Sequence, residues 1–121
     1  MKEKEGNYLE RIPIISPDIQ YQVNEENHVI IIEVNKGIWN RLFQRMLKKP
    51  KITKIELDRY GSYVWEKING ENNIYEIGKE AGRNFGTEIE PLYERMAVFI
   101  RTLEMHGWIF LEKTVEMSKK S

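Results

Sequence analysis

Apolar and polar residues alternate with period two over Ile19 to Val23 (IQYQV), and a β-branched run, His28 to Val34 (HVIIIEV), follows after Asn24 to Asn27. Alternation of this kind buries one face of a strand, and NEEN between the runs is turn chemistry, so the pair predicts a β-hairpin. Upstream, IPIISP carries two prolines. They argue for an extended lead-in or an edge strand, because proline has no N–H for a ladder. The period then changes. In IWNRLFQRMLKK, residues Ile38, Trp39, Leu42, Phe43, Met46 and Leu47 form one apolar stripe on a helix, with Arg41, Gln44, Arg45 and Lys48 opposite. Pro50 ends it by disfavouring helical geometry in the residue before it. KITKIELD returns to alternation: Thr53, Ile55 and Leu57 share one face, and Ile52, Lys54 and Glu56 the other.

Three helices follow. Asp58 is a natural N-cap, its carboxylate accepting an unpaired backbone N–H. Gly61, Val64, Trp65 and Ile68 point inward, and Gly70 supplies a left-handed stop. Asn73 with Glu76 three residues later is a capping box, opening a helix with Ile74, Ile77, Ala81 and Phe85 on one stripe and Gly86 at its end. Thr87 with Glu90, and Pro91 behind them, mark a third start. Leu92, Met96, Phe99, Ile100 and Leu103 then form a long stripe, closed by Gly107 before a short strand, Trp108 to Glu112. The expected class is α+β with a winged helix-turn-helix-like layout: N-terminal antiparallel strands, three helices and a short C-terminal strand. The expected divisions are a flexible lead-in at 1–18, a domain at 19–112 with a basic amphipathic insert at 38–49, and a tail at 113–121.

Length and composition bound the functions. At 121 residues and 40% hydrophobic, the chain has the size and apolar content of one domain with a modest core. Nineteen basic residues balance nineteen acidic ones, which disfavours nonspecific nucleic-acid binding. The balance is global but not local: from Asn35 to Ile55 every charge is positive, and the flanks lean acidic. There are no cysteines, so no disulfide or thiolate chemistry is available, which agrees with a cytoplasmic location. No signal-peptide apolar region and no membrane-length apolar run is visible. His28 and His106 stand far apart with no ligand-spaced companions, so no metal is expected. His106, just before Gly107, suits the carbonyls of a helix end. Gly78, Gly82 and Gly86 recur every four residues. The spacing lies within a helix and lacks the ending of a phosphate loop, so Gly78 and Gly82 are expected to permit close helix approach. No nucleophile–base pair and no cofactor can be nominated, and no enzyme is expected.

From Ile55 to Leu111 the chain resembles the PqqD family, the pyrroloquinoline quinone biosynthesis protein D type. The resemblance rests on IELD, SYVWEKI with Trp65, the Asn69–Gly70 pair, IYEIG, and MAVFIRTLEMHGWIFLE, all in order. It implies a non-catalytic element that recognises the leader of a ribosomally made precursor peptide. The leader adds as an extra strand along the third strand, against the third helix, and is presented to a modifying enzyme of the radical SAM type. On this sequence the implied contacts are Ile52, Lys54 and Glu56 on the strand, and Tyr93, Met96, Ala97, Ile100 and Arg101 on the helix. The insert Gly37 to Lys51 departs from the compact family pattern, which has a short turn there.

Each feature also has a plainer reading. An edge lysine such as Lys54 blocks aggregation as readily as it attracts acidic residues. The helix residues could pack under the strands. In the insert, Trp39, Arg41, Phe43 and Arg45 suit docking to a partner or a peripheral membrane surface. The same stripe could equally cover the open sheet face. Between Thr87 and Gly107 the glutamates Glu88, Glu90, Glu94 and Glu104 outnumber Arg95 and Arg101, so specific DNA binding by this helix is not expected. The alternative class is a winged-helix regulator acting on DNA or a protein partner, and a homodimer is compatible with either.

Overall fold

The computed structural model describes residues 8–34 and 52–112. The amphipathic segment 38–49 and the tail 113–121 lie outside them, as do the first seven residues.

The elements run β1 (Ile12–Ile15), β2 (Gln20–Val23), β3 (Val29–Val34), β4 (Ile52–Glu56), α1 (Arg59–Lys67), α2 (Ile74–Phe85), a 3-10 turn (Gly86–Ile89), α3 (Leu92–Met105) and β5 (Ile109–Glu112). This is the expected α+β order, and it is compatible with a winged-helix layout. The strands form two separate sheets: β2-β3-β4, and a ribbon of β1 with β5.

The β2–β3 hairpin is closed by side-chain as well as backbone bonds. Asn24 Oδ1 accepts the N–H groups of Glu26 and His28, both at 2.9 Å. Asn27 takes the left-handed conformation, φ 67°, that asparagine tolerates. The prolines of the N-terminal stretch resolve as an edge strand. β1 pairs antiparallel with β5, Ile15 opposite Ile109, and Ser16 Oγ donates to the Gly107 carbonyl at 2.9 Å. The folded unit therefore begins ahead of residue 19. Of the two readings of this stretch, extended lead-in or edge strand, the structure has the strand, whose partner lies at the far end of the chain.

The first two caps form as their residues dictate. Asp58 Oδ1 accepts the Gly61 N–H at 2.7 Å, and Asn73 and Glu76 bond reciprocally. The third start differs. Instead of a capping box at Thr87 and Glu90, the chain makes a 3-10 turn that buries Ile89, and Pro91 occupies the N-cap position of α3. A buried isoleucine outweighs a solvent-exposed cap here.

The core gathers Val29, Ile31, Leu57, Val64, Trp65, Ile68, Ile74, Ile77, Met96, Ile100, Leu103, Trp108 and Ile109. Trp65 is fully buried, with the Tyr21 ring edge-on at 5.4 Å. The glycines at the α2–α3 contact act as spacers. A Cβ at Gly78 would lie 2.8 Å from Tyr93 Cε1, and one at Gly82 would lie 3.0 Å from Leu92 Cδ2. No helix among the described residues is long and apolar enough to cross a membrane.

Candidate peptide-binding groove

β4 is an edge strand of its sheet among the described residues, with β2 at the other edge. Its register with β3 sets Ile55 opposite Ile31 and Thr53 opposite Glu33. One rung further, the Leu57 N–H donates to the Val29 carbonyl at 2.8 Å. Bonded pairs alternate in an antiparallel ladder, so Leu57, Ile55 and Thr53 turn their backbone groups toward β3. The N–H and C=O groups of Ile52, Lys54 and Glu56 consequently face outward. Three of the expected contact residues thus share one edge, and the side chain of Ile52 is 55% exposed.

The end of this ladder is bridged by a helix. Ser62, buried on α1, accepts the Val29 N–H at 2.8 Å and donates to the Leu57 carbonyl at 3.2 Å. Its hydroxyl occupies the place of a missing rung and locks α1 to both strands. Nothing in the sequence singled it out, because a serine on a helix ordinarily reads as a solvent-facing residue.

A cavity of about 310 Å3 opens where β4 passes into α1. It is lined by Asp58, Tyr60, Gly61 and Val64 from that side, by Ile89, and by Leu92, Arg95, Met96 and Phe99 of α3. A shallower depression continues along the same helix, lined by Pro91, Glu94, Arg95, Val98, Phe99 and Thr102. Arg95 and Phe99 belong to both. At the cavity mouth, Glu88 Oε1 accepts from Arg59 Nη2 and from the Tyr60 hydroxyl, both at 3.1 Å. Loss of hydration, and then that bond, push the Tyr60 phenol above its ordinary range, so it remains a neutral donor.

The five helix residues expected from the resemblance divide between two other surroundings. Ile100 lies wholly in the core, and Met96 is buried there while also reaching the cavity floor. Tyr93, Ala97 and Arg101 turn toward the N-terminal segment, where they line a small depression with Tyr8 and Leu9. The Arg101 guanidinium sits 4.7 Å from the Tyr8 ring centre. The α3 residues that line the cavity are Leu92, Arg95, Met96 and Phe99, and Val98 lines the depression beyond it. Leu92 and Phe99 were legible only as part of the apolar stripe, Arg95 only in the charge count of the helix, and Val98 was not singled out. Trp39, Arg41, Phe43 and Arg45 lie outside the described residues.

The histidines find partners that sequence spacing cannot show. The β3–β4 register brings His28 Nδ1 within 2.7 Å of Glu56 Oε2, with Glu26 alongside. His106 stacks its ring on Trp108, centroids 4.4 Å apart, instead of capping the helix end with its side chain. Trp108 in turn donates from Nε1 to Glu33 at 3.1 Å.

The family model described as coenzyme PQQ synthesis protein D (PqqD) matches residues 46–109, more than half of the chain. The match spans β4, all three helices and the cavity between them. No curated protein and no solved structure gives a significant match.

Proposed function

This chain belongs to the coenzyme PQQ synthesis protein D family, and we propose from that premise that it is a non-catalytic accessory protein that binds a precursor peptide. The peptide adds as a fourth strand along the outer edge of β4, lies against α3, and is presented to a modifying enzyme of the radical SAM type. The carrying observation is the outward row of backbone groups at Ile52, Lys54 and Glu56. Strand addition needs such a row for main-chain bonds, and neighbouring depressions for alternate side chains. The contacts in this reading are that row together with Leu92, Arg95, Val98 and Phe99, with Met96 at the floor.

The alternative regulator reading is disfavoured by the same helix. α3 carries Glu94 and Glu104 against Arg95 and Arg101, with no excess of positive charge to meet phosphates.

The test uses proline as a probe of one edge. The N–H of Lys54 faces outward, so Lys54→Pro removes a donor to the guest while leaving the β3 ladder intact. A candidate leader peptide, titrated by calorimetry, is expected to bind the wild type and to lose at least tenfold in affinity with Lys54→Pro. Undiminished binding by a folded Lys54→Pro variant would remove the strand-addition reading. Binding to duplex DNA with a steep salt dependence would favour the regulator instead.

A further inference from the structure

We propose that the groove selects a particular side-chain pattern in its guest: a large apolar residue with an acidic residue two positions away. The inference rests on the strand-addition reading and adds the chemistry of the ligand to it.

The apolar half follows from the cavity lining. Val64, Ile89, Leu92, Met96 and Phe99 present hydrocarbon around about 310 Å3, at the lower end of the range for ligand pockets and ample for a leucine or phenylalanine side chain. Ile89 and Met96 are buried and form its floor. A polar guest side chain would leave its own hydrogen bonds unmade there, at a cost of about 1–3 kcal/mol.

The acidic half follows from charge pairing at the mouth. The nearby carboxylates have partners: Asp58 holds the Gly61 N–H, and Glu88 holds Arg59 and Tyr60. Arg95 differs. It lines both the cavity and the depression beyond it, and the one hydrogen bond its side chain makes among the described residues is a long one, 3.5 Å, to the Glu88 carbonyl. No carboxylate there lies within ion-pair distance of it. Glu94 lines the outer depression and the one beside Tyr8 but not the cavity, which places the acid-accepting position at the cavity end of the groove. An arginine so placed fits a carboxylate with two parallel bonds. Both the cavity and Arg95 belong to the α3 side, and a strand turns alternate side chains to one side, which sets the two-residue spacing.

The full-length protein is panned against a display library of randomised linear peptides, alongside Arg95→Glu and Arg95→Gln, each checked for native circular dichroism. Wild type is expected to enrich Asp or Glu two positions from Leu, Ile, Met or Phe. Arg95→Glu is expected to switch the acidic position to Lys or Arg while keeping the apolar one. A wild-type-selected peptide, remade, should bind Arg95→Gln about tenfold more weakly. Apolar enrichment without an acidic partner, or an acidic preference unmoved by both variants, overturns this proposal and leaves strand addition standing. Selected peptides that bind Lys54→Pro as well as wild type, or no enrichment at all by folded protein, overturn the strand-addition reading itself.

Discussion

The two faces of α3 are built from the same helix and do opposite things. Met96, Ile100 and Leu103 disappear into the core, whereas Val98 is 62% and Met105 86% exposed two residues away. β4 repeats the contrast along its two edges: the inner is bonded to β3, and the outer belongs to no ladder among the described residues. In the strand-addition reading, the difference lets a small domain keep a binding surface open. Inner groups hold the fold without help from the outer ones, so the outer ones can be reserved for a guest.

The sharpest way to break this comparison is to exchange the edges. Ile55→Pro removes an inward N–H from the middle of the ladder and is expected to cost about 3 kcal/mol or more in urea unfolding. Lys54→Pro, one residue away, should cost far less and act on peptide binding instead. Equal destabilisation would mean that both edges support the fold. The helix faces give the next largest contrast. Ile100 is 0% exposed, so Ile100→Ala should destabilise by about 2–5 kcal/mol, and Val98→Ala by less than about 0.5 kcal/mol. Ser62→Ala comes next, at about 1–3 kcal/mol, because it strands the buried Val29 N–H and Leu57 carbonyl. Replacement by Thr would separate loss of the hydroxyl from loss of fit, since threonine keeps the oxygen. Smaller again is the α2–α3 contact. Gly78→Ala gains about 1 kcal/mol of helix propensity but drives a methyl against the Tyr93 ring and Met96 Cγ. Gly82→Ala meets only the movable end of Leu92. Gly82→Ala should therefore be the more stable variant by about 1 kcal/mol, and the reverse order would show that the helices can move apart freely.

How much of this was legible depended on how local each cause is. Asp58, Asn73 and Glu76 act within one helical turn, and their caps formed as read. The stripe Leu92, Met96, Phe99, Ile100 and Leu103 was legible because helical period alone defines it. Ile52, Lys54 and Glu56 were assigned to one side of a strand by alternation, and the ladder gave their backbone groups a common direction. What could not be read depends on partners distant in sequence. β1 is a strand because β5 lies beside it, and Ser62 matters because two strand ends meet at its hydroxyl. Ile89 was passed over because a single apolar residue in a turn has no period. On α3, periodicity distinguished inside from outside but could not say which outer strip lines the cavity and which lies beside Tyr8. Arg95 and Phe99 line the cavity, and Tyr93, Ala97 and Arg101 lie beside Tyr8.

That third strip of α3 yields the smallest effect, one visible only in alkali. Tyr8 packs beside Arg101, and its hydroxyl is buried with no hydrogen-bond partner among the described residues. Burial, reinforced by the charge of Glu104 and opposed by Arg101 and Arg11, pushes its phenol up to about 12 from 10.0. The folded state thus holds the proton more tightly than the unfolded chain does. A group raised in this way contributes its stability fully below pH 10 and loses it as pH climbs toward 12. Tyr8→Phe cannot ionise and removes a buried hydroxyl with no protein partner to lose. It should match wild type within about 0.5 kcal/mol at pH 7, then fall less steeply in urea midpoint between pH 10 and 12. Parallel curves for the two proteins would show that Tyr8 is open to water. The strip it covers would then be as available to a guest as the groove on the other side of the helix.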